Sequence, residues 1–205
     1  APRSSPGHSS TTSISRKVPT MSDVMIDIET LSNRFDAPVI SIGAVFFNLE
    51  TGETKQTFLA RIDPNDAMNF GRANGETLRW WMEQGDEARR NAMSGRQTLK
   101  SALDGLSGFV RSDAMVWGNG PSFDMTVLEH AYARTGVAVP WKFWNVQCCR
   151  TIKRLATGLG WAQPERQGVH HDALDDAVYQ AQWVSSAWCH LQAKQKGNRE
   201  VEDLA

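Results

Sequence analysis

The spacing of apolar and polar residues predicts strands in the first third of the chain and helices after it. Val24-Met25-Ile26-Asp27-Ile28-Glu29 alternates, so Ile26 and Ile28 share one face of a strand and Asp27 and Glu29 the other. Val39 to Phe47 is almost wholly apolar and reads as a long buried strand, closed by a turn around Glu50-Thr51-Gly52. Thr54 to Ile62 alternates again, with Gln56, Phe58, Ala60 and Ile62 on one face and Thr57, Leu59 and Arg61 on the other. Three consecutive strands of this kind form an antiparallel meander.

Residues 63–97 are less regular, with short helical pieces at Glu76 to Met82 and Asp86 to Ala92. Thr98 is a good N-cap for a helix whose Leu99, Ala102, Leu103, Leu106, Phe109 and Val110 recur at helical spacing. Ala114 to Trp117 is a short strand that ends in Gly118-Asn119-Gly120-Pro121. A helix follows with Phe123, Val127, Leu128, Ala131 and Tyr132 as its stripe and Gly136 as its stop. Val137 to Cys149 is a Trp-rich connection with a short strand near its end, and Ile152, Leu155 and Ala156 mark a short helix. The last helix runs from about Ala173 to Ala193, with Leu174, Ala177, Val178, Ala181, Val184, Trp188 and Leu191 as its buried stripe. The order β-β-β-α-β-α-α predicts an α/β domain: a mixed sheet of about five strands flanked by helices.

Composition adds boundaries. Residues 1–20 are rich in Ser, Thr and Pro and lack apolar periodicity, which predicts a disordered extension. Residues 21–193 form one folded domain, and 194–205 a polar tail. A chain of 205 residues with a net charge of −1 does not grip a polyanion by bulk electrostatics, although bound metal could supply positive charge. Three cysteines, Cys148, Cys149 and Cys189, make no disulfide framework, so the expected setting is a reducing cytoplasm. No apolar run reaches the ~18–20 residues that span a membrane. Eight Trp residues exceed the needs of one core, so some are expected to line a groove or a homodimer interface.

The chemistry begins at Asp27 and Glu29. Two carboxylates on one face of an apolar strand need a basic partner, solvent or divalent cations. A solvated edge strand would also satisfy them. Asp124 stands in the first turn of its helix, where a carboxylate is favoured by the unpaired N–H groups and also serves as an ordinary cap. Asn119 precedes it in the strand-to-helix turn, at the sheet rim where sites tend to form. Before the last helix, His170-His171-Asp172 and Asp175-Asp176 offer two pairs of equal spacing, His170 with Asp175 and His171 with Asp176. On a helical wheel Asp175 falls roughly 150° from the centre of the apolar stripe and Asp176 roughly 110°, at its edge. The boundary between core and cleft suits a ligand, which selects His171 and Asp176 and leaves Asp172 as an N-cap.

Asp27-x-Glu29, Asn119-x-x-x-Phe123-Asp124 and His171-x-Ala173-x-x-Asp176, in that order, resemble the three motifs of the DEDDh exonucleases, 3′–5′ enzymes with an RNase H-like fold. Trp80-Trp81-Met82-Glu83-Gln84, Glu87-Ala88-Arg89, Trp117-Gly118-Asn119-Gly120 and Trp141-Lys142-Phe143-Trp144-Asn145 are similar to a branch containing bacteriophage exonuclease A, the prophage exonuclease VIII nuclease domain and a mycobacterial-type exoribonuclease. The resemblance covers about residues 22–192. It implies release of 5′-mononucleotides from single-stranded DNA or RNA 3′ ends with two Mg²⁺ or Mn²⁺ ions. Asp27 would bridge both ions, Glu29 and Asp176 would hold the one that carries the attacking water, Asp124 would hold the second, and His171 would be the general base. Thr30, Asn119, Trp80 and Trp117 are the expected substrate contacts, with Trp81, Trp141 and Trp144 as further stacking candidates. The rival readings are a nucleic-acid-binding module without catalysis and a phosphohydrolase of small molecules.

Overall fold

A computed structural model describes residues 22–202, and side chains as far as residue 197; the expectation for residues 1–20 lies outside the described residues. The meander forms as the alternation predicts. Strand β1 is Asp23–Thr30, β2 is Val39–Phe47 and β3 is Thr54–Arg61, each antiparallel to the next. Short helices α1 (Pro64–Ala67), α2 (Gly75–Glu83) and α3 (Asp86–Met93) precede α4 (Leu99–Phe109), whose first turn is capped by the Thr98 side chain accepting from the Ser101 N–H. Strand β4 (Met115–Gly118) then lies parallel to β1, on the side away from β2. Helix α5 (Pro121–Thr135), β5 (Val146–Cys148), α6 (Cys149–Gly158) and α7 (Ala173–Glu202) complete the order, and the sheet reads β3-β2-β1-β4-β5.

Both faces of the sheet are covered, which is why all nine residues of β2 are buried. On one face Val24, Ile26 and Ile28 of β1 and Ile40, Ile42 and Ala44 of β2 meet Leu99, Leu103 and Leu106 of α4 and Val127, Leu128 and Tyr132 of α5. On the other, Met25, Val45, Phe47 and Trp117 meet Cys149 and Ala156 of α6 and Ala177, Ala181, Trp183 and Val184 of α7. The stripe of α7 is turned from the expected one: Trp183 and Ala187 are fully covered, while Leu174, Val178, Trp188 and Leu191 are only half-buried. The cause is close approach. A Cβ placed on Gly43 would lie 2.2 Å from the Ala173 carbonyl carbon and 2.4 Å from the Leu174 nitrogen, so α7 begins directly over a gap in β2. The polar segment from Lys194 continues this helix to Glu202.

Strands β1 and β4 are parallel, so their carboxyl ends open at one rim. Glu29 and Thr30 end β1 there, Asn119 follows β4, and α5 starts with Gly120 in a left-handed conformation (φ 110°) and Pro121 in its first turn. Gly43, which α7 crosses, is the cross-strand partner of Asp27. The register thus brings the start of the last helix to the acidic face of the first strand.

Candidate active site

Carboxylate oxygens of Asp27, Glu29 and Asp176 lie within 4.8 Å of one another, as do donor atoms of His170, His171 and Asp176. Asp124 stands outside the first group and faces it, close enough for its charge to act on both Asp27 and Glu29. Each acid is positioned by its own element. Asp27 and Glu29 alternate along β1, Asp124 sits in the first turn of α5, and Asp176 in the first turn of α7. The wheel argument holds for the acids of α7. Asp176 is buried among the others, whereas Asp175 turns back to accept the Val169 N–H at 2.7 Å. Asp172 caps the helix, accepting from Leu174 N–H at 3.2 Å, and its other oxygen takes Arg61 at 2.7 Å and Asn91 at 3.0 Å. That clamp pins the start of α7 to β3 and α3.

Burial, more than the neighbouring negative charge, leaves Asp27, Glu29 and Asp124 resistant to ionisation. Burial, then Asp124 and Glu29, hold the Asp27 carboxyl well above the usual range. Burial, then Asp172 and Asp124, raise Glu29 to about 8, and burial raises Asp124 to about 7. Two partners ease the cluster: Gln180 donates to Asp27 Oδ1 at 2.7 Å, and Arg166 is ion-paired with Asp176. Even so, Gln180 Oε1 is buried without a hydrogen-bond partner. An all-oxygen donor set with an unsatisfied buried oxygen fits a hard divalent cation. His171 adopts φ 64°, which turns its ring to stack on His170 at 3.8 Å and to meet the edge of Trp80 at 4.6 Å. Burial, then His170 and Arg166, lower His171 to about 4, so its ring is neutral at pH 7.

The sequence profile of the Rv2179c-like 3′–5′ exoribonuclease domain matches residues 22–188. The chain belongs to that family. It is a 3′–5′ exonuclease. An exodeoxyribonuclease of Enterobacteria phage T4 is 27% identical over 64% of this chain and 70% of its own. Among solved structures, the nuclease domain of 3′hExo bound to rAMP, a DEDDh family member, matches 80% of this chain and 90% of its own, with TM-score 0.54 at 16% identity. Escherichia coli exonuclease I in complex with a dT13 oligonucleotide matches with TM-score 0.61 at 12% identity, over 87% of this chain and 42% of its own. The shared fold is RNase H-like.

Around the exonuclease's acids, a cleft of about 490 Å³ is lined by Glu29, Thr30, Asn33, Thr77, Trp80 and Phe123. Thr30 is held there from both ends, its hydroxyl donating to the Ser32 carbonyl at 2.7 Å and its own carbonyl accepting Trp81 Nε1 at 2.9 Å. Trp80 is 37% exposed along this wall. Asn119 lies on the other flank beside Asp27, Arg166 and His171, and accepts a long hydrogen bond of 3.4 Å from Arg150.

Trp117 is a correction. In register with Met25 on β4, its ring faces the α6–α7 core, where it is 4% exposed and donates Nε1–H to Asp23 at 2.8 Å. Trp81 and Trp141 are likewise core residues, whereas Trp144 is 62% exposed beside Phe143. Sequence reasoning missed Arg150, Arg166 and Gln180. Arg150 lies 3.1 Å from where a Gly120 Cβ would stand, and its charge holds Asp124 down against burial. Gln180, four residues beyond Asp176, is one helical turn along the same face, the one signal that could have found it.

Proposed function

We propose that the exonuclease removes 5′-mononucleotides stepwise from single-stranded 3′ ends, using two Mg²⁺ or Mn²⁺ ions held by Asp27, Glu29, Asp124 and Asp176, with His171 as general base. The observation that carries this reading is the convergence of four carboxylates from three elements beside a neutral imidazole. Bound at such a site, paired divalent ions acidify a water and stabilise charge on the attacking and leaving oxygens. Glu29 and Asp176 share a group with Asp27, and Asp124 stands apart, which suits a carboxylate shared between two ions.

The chain's own residues do the rest. His171, beside Asp176 and against Trp80, takes the proton from the attacking water. The Thr30–Trp80–Phe123 cleft, at about 490 Å³, receives the terminal nucleotide, with Trp80 and Phe123 offering stacking faces. Asn119 and Arg150, on the Asp124 flank, face the strand as it leaves the site. The exposed Phe143–Trp144 pair is the apolar surface that a second copy would cover, and the mass in solution tests for that homodimer.

The test is digestion of matched single-stranded RNA and DNA, labelled at either end, with Mg²⁺, Mn²⁺ or EDTA. Mononucleotides should leave first from the 3′ end, and only with metal. Cleavage confined to free nucleotides, or binding without cleavage, would replace this reading with one of its rivals. The ratio of RNA to DNA rates assigns the sugar.

A further inference from the structure

The acids separate two clefts. Glu29 lies in the wall of the one that holds Thr30, Trp80 and Phe123. Asp27 and Asp176 lie in the wall of a second, of about 400 Å³, with Asn119, Lys153 and Tyr179. Helix α6 reaches this second cleft through Lys153, and the fold places it there. Strands β1, β4 and β5 are parallel, so α6, which follows β5, starts at the same rim as α5. Arg150, in its first turn, reaches Asn119 and the turn at Gly120, and its charge acts on Asp124. Lys153 extends over the ring of Trp183, 5.9 Å from its centroid. The Tyr179 wall is tied down: its hydroxyl donates to the Pro164 carbonyl at 2.8 Å and accepts from Gln163 Nε2 at 2.8 Å.

Helix α6 is charged on one side only. Cys149, Ile152 and Ala156 pack against the α7 core, while Arg150, Lys153, Arg154 and Thr157 are exposed at i, i+3, i+4 and i+7. These four span roughly 100° of arc and ~10 Å of helix. The helix contains no acid, and among the described residues none of its three cations makes an ion pair. The helix itself gains nothing from such charge at its start. The dipole favours an acid in the first turn, as α2, α3, α5 and α7 have, and α6 carries Arg150 there instead. In a protein of net charge −1, unpaired positive charge is thus gathered beside the acids.

We infer that this flank of α6 holds the single strand upstream of the 3′ end, with successive phosphates on Arg150, Lys153 and Arg154. The inference rests on the exonuclease reading and deepens it. With the terminal nucleotide beside Thr30 and Trp80 and its phosphodiester at the acids, the strand continues on the Asp27–Asn119 side, where the second cleft opens toward α6. No aromatic residue stands in α6, so the grip is on phosphate: it reads no base sequence and weakens steeply with salt. Length dependence follows, because an oligonucleotide reaches α6 and a mononucleotide does not.

The test compares wild type with Lys153→Ala/Arg154→Ala and with the charge-keeping Lys153→Arg/Arg154→Lys. A third variant, Arg72→Ala/Arg134→Ala, removes the same charge beside Phe35 and His130, beyond the 3′ end. All are checked for an unchanged melting temperature. Binding of a fluorescent single-stranded 12-mer is followed in EDTA over a range of salt. With metal, the Michaelis constant of the 12-mer and the inhibition constant of a 5′-mononucleotide are measured. Lys153→Ala/Arg154→Ala should bind the 12-mer roughly tenfold or more weakly, with a similar rise in the Michaelis constant. Its salt slope should fall by about 1.4, which is two phosphate contacts on a single strand. The other two variants should stay within about twofold of wild type, and the mononucleotide should inhibit all four proteins equally. A 12-mer affinity and slope equal to wild type in Lys153→Ala/Arg154→Ala would overturn the inference. So would an equal loss in Arg72→Ala/Arg134→Ala, or equal losses for 12-mer and mononucleotide. Wild-type protein that neither binds nor degrades the 12-mer would instead remove the exonuclease reading, and this inference with it.

Discussion

Replacing Glu29 by Gln should make the metal-free exonuclease more stable while it weakens metal binding. Glu29 is 8% exposed, and its carboxyl is raised from 4.5 to about 8 by burial, then by Asp172 and Asp124. At pH 7 the folded protein therefore keeps a proton that the unfolded chain has released. Holding it costs about 3 kcal/mol at ~1.36 kcal/mol per pH unit. The sign follows directly. Between pH 4.5 and about 8 the folded state binds more protons than the unfolded one, so stability falls as pH rises through that window and levels above it. Glu29→Gln keeps the shape and removes the titration. In EDTA at pH 7 its melting temperature should exceed wild type by up to roughly 10 °C, at ~2–4 °C per kcal/mol for a chain of this size. The downward slope of stability between pH 5 and 8 should become shallower, the rest of it belonging to Asp27 and Asp124. Added Mg²⁺ or Mn²⁺ should stabilise wild type more than the variant. Melting curves over pH, with and without metal, measure all three. A variant that melts at or below wild type in EDTA would refute the view of these acids as a strained, metal-awaiting cluster.

Two other substitutions probe the site's assembly. His171→Ala should lower the turnover rate by ~10²–10⁴-fold with metal binding retained, whereas His170→Ala, exposed on the outer side of the stack, should leave most of it; the reverse order would put the base at His170. Gly43→Val should cost on the order of 4 kcal/mol or more, because its side chain meets the backbone of Ala173 and Leu174, and a urea melt near wild type would contradict that packing.

Local pattern was enough for the strands and for α5. The nine-residue run of β2 and the Gly-Pro start and Gly stop of α5 are encoded by adjacent residues. The clustered acids were legible because period and position agree: Asp27 and Glu29 share a strand face, and Asp176 sits at the stripe edge that the wheel marks. What escaped depends on contacts far apart in sequence. Trp117 lies next to a motif-like turn, yet its parallel pairing with Met25 turns it inward. Arg166 reaches Asp176 from a loop without periodicity, and the α7 stripe rotates toward Trp183 because Gly43 admits the helix backbone. The polar end of α7 had no apolar stripe to betray it, and helix there rests on propensity and continuation from the packed part.

The central claim is that Asp27 is shared between two ions, with Asp124 serving one of them. Calorimetric titration of Mn²⁺ into wild type, Asp27→Ala and Asp124→Ala measures this without reference to turnover. The expected result is two ions per chain in wild type, one in Asp124→Ala and none in Asp27→Ala, each variant retaining its fold. Two ions bound by Asp27→Ala, or a single ion in wild type, would contradict it.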